Sequence, residues 1–340
     1  MSNFKKNSIR FTISLGLAVI FLYLAFRGKN ISQLATSLLS VPWGWFVLLF
    51  VATIISHLLR AWRWKYLLSP VKKNVSLRNV FSVTMIGYLI NSLVPRLGEL
   101  VRPYALNKLE GVSKSATMGT VVMERILDLI TFALILLTVL FLYSKPMEVW
   151  FPQFANMEWL FFIGAVAIFV FFVLLFLKAD MFFSMFKGFM RFLPQKWRAE
   201  GERIFNSFLS GFQVEKNPVN LLMIGLSSIL IWLTYIVSLY APLYIYNFPA
   251  TYGLDFGSAA ILQVASGIAF ALPTPSGIGS YYLLTSFTLT SLFNVDPVAA
   301  LSYAVYTHTV GFIATTSVGI YYFFVDKIHI ADAMDKNEVL

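Results

Sequence analysis

Long apolar runs separated by short polar segments dominate this chain, and the runs are too long for strands. About 20 apolar residues are needed to cross a bilayer as a helix. Seven runs fit or approach that length, roughly 9 to 26, 42 to 62, 79 to 94, 116 to 143, 158 to 177, 219 to 246 and 298 to 324. An eighth region, 257 to 293, is broken in its middle. The pattern predicts an all-α polytopic integral membrane protein that forms a single membrane domain over 1–340.

The run from 79 to 94 is short for a crossing, and three charged residues follow it between Pro95 and Pro103. A helix that faces lipid does not carry such a segment. Irregular backbone at membrane depth is tolerated only where protein buries it or where it lines a wet cavity. We therefore expect 79–115 to be a re-entrant region that returns to the side it entered.

The distribution of Lys and Arg supports this topology, because short cytoplasmic loops are enriched in both. With a re-entrant 79–115, 20 of the 26 basic residues fall on the cytoplasmic side and 3 fall outside. If 79–94 crosses instead, more basic residues lie outside than inside. We therefore expect cytoplasmic termini, amphipathic helices on the cytoplasmic leaflet over 178–218, and a solvated tail over 326–340.

The region 257–293 is interrupted between Ala271 and Ser280, and this interruption contains no Lys or Arg. Charge therefore leaves two alternatives, a hairpin or two short crossings. Both interruptions run from an apolar helix through Pro to Gly, and the topology makes them enter from opposite sides. This arrangement is typical of an inverted repeat with discontinuous helices. The fold prediction is about six full spans plus two broken or re-entrant helical hairpins, with a possible inverted repeat.

Composition excludes a soluble globular enzyme, since only 12% of the residues are charged against roughly 25% in soluble domains. We attribute the net charge of +10 to membrane topology and anionic lipids, not to nucleic acid. The chain has no Cys, and its three His are far apart in sequence. We expect no metal site, no cofactor and no nucleic-acid partner. We found no catalytic nucleophile and no nucleotide-binding loop, so we expect the protein not to be an enzyme.

The first interruption carries candidate site residues. Arg96, Glu99 and Arg102 stand at i, i+3 and i+6, so they share one broad face of a helix beginning near Pro95 and can pair there. The start of a helix also attracts phosphate. The alternative is a structural ion-pair cluster. Asn91 is expected to bond freed backbone groups, and Pro95 is expected to have a structural role.

The span from 116 to 143 carries Glu124, Arg125 and Asp128, which must face protein or water. We expect Arg125 to complete a lipid-phosphate site, with Glu124 and Asp128 orienting it or taking up protons. The alternative is a self-neutralising cluster that fixes helix packing.

At the second interruption, Ser280 is expected to be the N-cap of a helix starting at Tyr281. Gly277 and Gly279 permit close approach of backbone to a ligand. Pro273 and Pro275, in the same segment, are expected to have a structural role. A structural kink is the alternative.

Two further groups of polar residues lie elsewhere in the chain. His308, in the last span, is either a proton carrier or a packing residue that forms hydrogen bonds. The basic and aromatic residues from Arg60 to Lys65 end the second span. We interpret them as anchors at the membrane interface.

These residues resemble the integral membrane domain of lysylphosphatidylglycerol synthases and their stand-alone relatives, the flippase-like family. The match lies in Arg60/Arg63-Trp64, Asn91 to Arg102, Glu124-Arg125-x-x-Asp128, Pro273 to Gly279, and His308 with Gly311. The resemblance implies a polytopic helical fold with re-entrant elements. It also implies movement of a phospholipid or lipid-linked sugar between leaflets.

Two departures from the family pattern stand at the second interruption, where Ser276 replaces a Gly and Tyr282 stands where Glu is expected. The chain is also expected to lack the soluble transferase domain, so aminoacyl transfer is not carried over.

The functional hypothesis is a translocase for an anionic phospholipid or a polyprenyl-phosphate-linked glycan, in a bacterial-type cell (inner) membrane. Transport is expected to be facilitated or ion-coupled. The alternative is a membrane-embedded transferase, or its accessory subunit, that acts on a lipid-linked substrate.

Overall fold

The computed structural model describes residues 2–142, 158–177, 202, 205–211 and 217–328. Regular structure in these residues is helical throughout. In chain order the helices are α1 (Ser2–Phe26), α2 (Ile31–Leu39), α3 (Trp43–Leu67), α4 (Leu77–Leu93), α5 (Leu97–Glu110), α6 (Lys114–Leu142), α7 (Glu158–Leu177), α8 (Pro218–Tyr240), α9 (Phe248–Tyr252), α10 (Phe256–Ala271), α11 (Ser280–Phe293) and α12 (Pro297–Val325). Most of the predicted amphipathic loop 178–218 lies outside the described residues.

Four of the described helices are long and apolar enough to cross a membrane, and they are α3, α6, α8 with the 3₁₀ turn that follows it, and α12. Helix α7 adds 20 residues, of which only Glu158 is charged. Helices α1 and α2 form a pair bent by 92°. At the bend, Asn30 is the N-cap of α2, and its side chain accepts hydrogen bonds from the N–H groups of Ser32 and Gln33. The prediction of an all-α polytopic membrane protein is confirmed.

Helices α4 and α5 form a hairpin whose outer ends meet. Glu110, the last residue of α5, accepts hydrogen bonds from the Ser76 N–H at 3.1 Å and from the Asn79 side chain at 2.7 Å, at the start of α4. Nearer the tip the two backbones touch, because a Cβ on Gly98 would lie 1.8 Å from the carbonyl oxygen of Gly87. The chain therefore returns to the end of the hairpin from which it set out.

The connection between α4 and α5 differs in detail from the expectation. The second helix begins at Leu97 and not near Pro95, because Arg96 adopts a left-handed conformation with φ +68° and makes no side-chain cap. The free N–H groups of a new helix need acceptors. Asn91 supplies one, since its side-chain oxygen accepts a hydrogen bond from the Gly98 N–H at 2.7 Å.

Helices α10 and α11 form a second antiparallel pair, which we call the second hairpin. Ile261, near the start of α10, packs in one apolar cluster with Leu292 and Phe293 at the end of α11. The two helices are therefore antiparallel, and the chain returns to the end of the pair from which it set out. The hairpin tip contains a 3₁₀ turn over Pro275–Gly277.

The same order of elements occurs twice in the described helices. A long helix, a hairpin and a second long helix follow one another as α3, α4–α5 and α6, and again as α8, α10–α11 and α12. The halves interlock, because α12 packs on α3 and α4, while α4 also touches the tip of the second hairpin. The largest apolar cluster surrounds the first hairpin, and separate clusters surround the second.

The last described residues contradict the prediction of a solvated tail from 326 onward. Asp326 accepts a hydrogen bond from Ser82 and forms an ion pair with Arg78 at 2.6 Å, and Ile328 is buried in the apolar core around the first hairpin. A carboxylate with two partners on α4 and a buried isoleucine fasten the end of α12. Residues 329–340 lie outside the described residues.

Candidate functional site

Seven charged side chains from three helices meet beside the first hairpin. We call them the arginine cluster: Arg60 and Arg63 on α3, Glu99 and Arg102 on α5, and Glu124, Arg125 and Asp128 on α6. Glu124 lies ten residues after the start of α6, or about 15 Å along the helix axis. Helices α3 and α6 are both long and apolar enough to cross a membrane, so the arginine cluster lies on membrane-spanning segments.

Glu124 is the centre of the arginine cluster and has no exposed side-chain surface. It accepts hydrogen bonds from Arg102 at 2.6 Å, from Arg60 at 3.2 Å and from Arg125 at 3.3 Å. Arg63 is 3.8 Å away. A carboxylate in a dry interior is stable only when cations and donors surround it, and four arginines do so here.

Asp128 continues the network one turn further along α6. It accepts hydrogen bonds from Arg60 and from Arg63, the latter at 2.5 Å. Arg125 and Glu99 face each other at 3.6 Å, and each side chain is 35% exposed. The arginine cluster is therefore closed at Glu124 and accessible at the Arg125–Glu99 side.

Neutral side chains hold the arginines in place. The guanidinium of Arg102 lies 3.9 Å from the ring centre of Trp64, whose indole N–H donates to Thr120 at 2.9 Å. Arg63 donates to Ser228 at 3.2 Å, and Arg60 donates to Tyr235 at 2.8 Å, both on α8. Aromatic stacking and fixed acceptors orient a guanidinium before any ligand arrives.

The arginine cluster has more positive than negative groups, because four guanidinium groups face three carboxylates. The Nε atoms of all four arginines are buried and have no hydrogen-bond partner among the described residues. Buried donors are normally satisfied, and guanidinium groups bind phosphate through paired N–H donors. The arrangement is chemically suited to an anion with several acceptor oxygens.

The structure brings together Glu99, Arg102, Glu124, Arg125 and Asp128 from the predicted site. It does not bring in Arg96, which is exposed and forms no ion pair with a described carboxylate. The expectation that Arg96, Glu99 and Arg102 pair with one another is wrong. Arg96 precedes the helix in a left-handed conformation, so the helical spacing does not apply to it.

Arg60 and Arg63 were missed, because the sequence interpretation placed them at the membrane interface. Both are buried, and Arg63 has no exposed surface. The helix continues to Leu67, which sets both arginines inside the span. The signal that indicates this is their i, i+3 spacing, which puts two cations on one face of α3, opposite the two acids of α6.

The prediction that Ser280 caps the second half of the broken helix is wrong. The N-cap is Gly279, and Ser280 is the first residue of α11. The Ser280 hydroxyl is buried and points back to the carbonyl oxygens of Ala269 at 3.0 Å and Gly277 at 3.1 Å. The hydroxyl therefore bonds a carbonyl group near the end of α10 and does not cap the N–H groups at the start of α11.

The glycines of the second hairpin tip allow close approach to protein. A Cβ on Gly277 would meet the ring of Phe270 at 2.7 Å, and a Cβ on Gly279 would meet the carbonyl oxygen of Ala18 on α1 at 2.7 Å. Pro273 is held by the same helix, because its carbonyl accepts a hydrogen bond from Ser14 at 2.6 Å. Pro275 begins the 3₁₀ turn. Helix α1 therefore packs where a ligand was expected.

His308 also holds the second hairpin tip. Its Nε2 donates to the carbonyl oxygen of Ser276 at 2.8 Å, and Tyr282 donates to its Nδ1 at 3.2 Å. Ser276 has φ +50°, a left-handed conformation that needs support in a residue other than Gly. His308 and Tyr282 provide that support, so both departures from the family pattern lie in one hydrogen-bonded unit.

Comparison with known proteins matches residues 11–319 to the family described as the lysylphosphatidylglycerol synthase TM region. The chain is also similar to the UPF0104 membrane protein MJ1595 of Methanocaldococcus jannaschii, with 25% identity over 165 residues. That similarity covers 48% of this chain and 49% of the relative, so the chain spans about half the length of the curated relative it matches. The family match includes both hairpins and the whole arginine cluster. The protein belongs to the lysylphosphatidylglycerol synthase TM region family of integral membrane proteins.

Proposed function

We propose that the protein moves an anionic phospholipid or a lipid-linked sugar between the two leaflets, without changing it chemically. The observation that carries the proposal is the excess of guanidinium groups over carboxylates inside the membrane, with four Nε donors that have no hydrogen-bond partner among the described residues. Ionisable residues at such depth are costly and mark substrate pathways. A lipid phosphate is the anion that reaches this depth most directly.

The two hairpins support transport over a static binding role. Broken helices that meet in the membrane are typical of transporters, in which substrate binds at the interface between two repeats. The order long helix, hairpin, long helix occurs in both halves of this chain. We propose that the halves are inverted relative to each other, as the distribution of basic residues predicts.

The proposed orientation places both termini in the cytoplasm of a bacterial-type cell and the protein in its inner membrane. The open side of the arginine cluster, at Arg125 and Glu99, would then accept lipid from the cytoplasmic leaflet. The sequence has no Gly-rich nucleotide loop, so we propose facilitated or ion-coupled exchange.

Reconstitution into liposomes tests the proposal. Vesicles carry phosphatidylglycerol or a lipid-linked sugar with a fluorescent label on the acyl or prenyl chain, and a membrane-impermeant quencher reports the label in the outer leaflet. Exchange faster than in protein-free vesicles is expected. A rate equal to that of protein-free vesicles for every lipid contradicts the proposal, and conversion of the lipid detected by mass spectrometry favours the transferase alternative.

Substitution tests the site separately from the activity. Arg63→Gln and Arg102→Gln each remove a charged hydrogen-bond donor, worth about 1.5–3 kcal/mol, so about tenfold slower exchange or more is expected. Arg78→Gln is the matched control, because Arg78 pairs with Asp326 outside the arginine cluster. Arg96→Gln, at an exposed position, is expected to have a smaller effect. Equal rates in wild type and both cluster variants contradict the site assignment.

A further inference from the structure

Two polar side chains, His57 and Tyr88, lie against Arg60 of the arginine cluster and take no part in its ion pairs. His57 stands one turn before Arg60 on α3, and Tyr88 approaches both residues from α4. The ring centres of His57 and Tyr88 are 4.7 Å apart, and the guanidinium carbon of Arg60 lies 6.0 Å from the ring centre of Tyr88. The three side chains therefore form one compact group on the wall between α3 and the first hairpin.

Each of these three side chains has a buried polar atom without a hydrogen-bond partner in the described part of the chain. The atoms are His57 Nδ1, the Tyr88 hydroxyl and Arg60 Nε. Buried polar atoms nearly always have partners, and exceptions need an explanation. Three exceptions on neighbouring side chains indicate a place where a polar ligand group is bound during the working cycle.

The hydrogen bonds of Thr315 indicate which of these polar atoms offer a donor and which offer an acceptor to a ligand. The Thr315 hydroxyl donates its one proton to the carbonyl oxygen of Gly311 at 2.8 Å, so it can only accept from His57 Nε2, at 3.0 Å. The neutral His57 ring therefore has its proton on Nε2, and Nδ1 is an acceptor. Arg60 Nε is a donor, and the Tyr88 hydroxyl is both.

We propose that His57, Tyr88 and Arg60 Nε form a subsite for the hydroxyl groups of a lipid headgroup whose phosphate lies in the arginine cluster. A hydroxyl group donates and accepts, so it matches an acceptor, a donor and a mixed group in one place. An ammonium headgroup offers donors only and would lie beside surplus guanidinium charge. The ligand class is thus a glycerol or sugar joined to a phosphodiester, which deepens the proposed function and rests on it.

Binding in detergent tests this subsite independently of transport. The affinity is taken from the dependence of thermal stability on ligand concentration. Short-chain phosphatidylglycerol is compared with short-chain phosphatidylethanol, which has the same single negative charge and no hydroxyl group. A second pair compares a prenyl phosphate hexose with the methyl ester of the same prenyl phosphate. The pair that shows the larger preference identifies the source of the hydroxyl groups.

Tyr88→Phe removes the hydroxyl and keeps the ring that packs on His57. We expect wild type to prefer the hydroxylated ligand, and Tyr88→Phe to bind that ligand about 2- to 10-fold more weakly with no change for its partner. Tyr246→Phe is the matched control, because the Tyr246 hydroxyl is also buried without a hydrogen-bond partner among the described residues, while its ring packs in the apolar cluster with Phe248 and Tyr303.

Wild type without a preference in either pair overturns the subsite. Equal weakening of both ligands by Tyr88→Phe, or the same effect from Tyr246→Phe, also overturns it. Preference lost only in Tyr88→Phe supports the subsite, even if vesicles show no lipid exchange. That combination would reject transport while leaving the binding assignment intact.

Discussion

Arg102 and Glu124 form an ion pair at 2.6 Å between two different kinds of element, the returning arm of a hairpin and a long membrane helix. Both side chains are buried. The pair therefore joins the first hairpin to α6 at membrane depth. Because an interior ion pair is sensitive to the loss of either partner, it is the most direct target for testing the structure.

Glu124→Gln should strongly destabilise the protein. The substitution removes the buried carboxylate that pairs with Arg102 at 2.6 Å and with Arg60 and Arg125, and an unpaired buried charge costs about 3–5 kcal/mol. Thermal or denaturant unfolding in detergent measures the loss. The double variant Arg102→Gln/Glu124→Gln should recover part of it, as a double-mutant cycle detects. Additive losses would show that the two residues do not interact.

Gly98→Ala should prevent the first hairpin from closing. The new Cβ would lie 1.8 Å from the carbonyl oxygen of Gly87, so the backbones must separate, and overpacking of this kind costs about 1–3 kcal/mol or more. Gly225→Ala in α8 is the control, since open space surrounds its Cβ position. The control should unfold at the wild-type temperature or slightly above it. Equal stability of both variants would contradict the backbone contact.

Stability should fall at acidic pH through Glu110, at the outer end of the first hairpin. Burial alone raises the pKa of this carboxyl, but hydrogen bonds from Lys72, Asn79 and the Ser76 N–H outweigh it and hold the pKa below its ordinary value of 4.5. A carboxyl whose pKa is lower in the folded state stabilises the protein above the unfolded pKa, and that stabilisation is lost as the pH falls through the folded pKa.

The measurement is the unfolding temperature of wild type and Glu110→Gln between neutral pH and about pH 3. The variant should be less stable at pH 7, and the difference should shrink as Glu110 becomes protonated in the wild type. A difference that stays constant over this range would show that the charge of Glu110 does not hold the hairpin ends together.

His308→Leu should destabilise the second hairpin tip. It leaves the Ser276 carbonyl without its donor, and a buried unpaired acceptor costs about 1–3 kcal/mol. His308→Gln can still donate an N–H group and should lose less. Lipid exchange measured against pH distinguishes the two roles of this residue. A profile that changes shape in both variants would favour a proton carrier, and an unchanged shape is expected for a structural residue.

The fold was predictable from sequence where the length of an apolar run and the position of charged residues determine the structure by themselves. Apolar runs gave the helices, and the charged segment after Val94 indicated the first hairpin. For the second hairpin the sequence left two alternatives, a hairpin or two short crossings, because its interruption carries no charge. Its geometry depends on hydrogen bonds from Ser14 and His308, which are more than 30 residues away in sequence and carry no local signal.

The site was predictable where charges interrupt an apolar run, as at Glu124 and Asp128. It was missed at Arg60 and Arg63, because a cation near the end of a span fits both an interface anchor and a buried partner. Which of the two applies depends on the neighbouring helix and not on α3 itself. The prediction for Arg96 was wrong for a local reason, since the left-handed backbone conformation of this residue removes it from the helical face.

The contact between Gly87 and Gly98 has a mechanical consequence. At this point the two helices have no side-chain layer between them that could shear or repack, so we expect the first hairpin to tilt as one unit. Its tip carries Asn91 and Arg96, and its returning arm carries Glu99 and Arg102. A tilt of the first hairpin against α6 would stretch the Arg102–Glu124 pair, and under the proposed function this would couple release of the anion to the position of the hairpin.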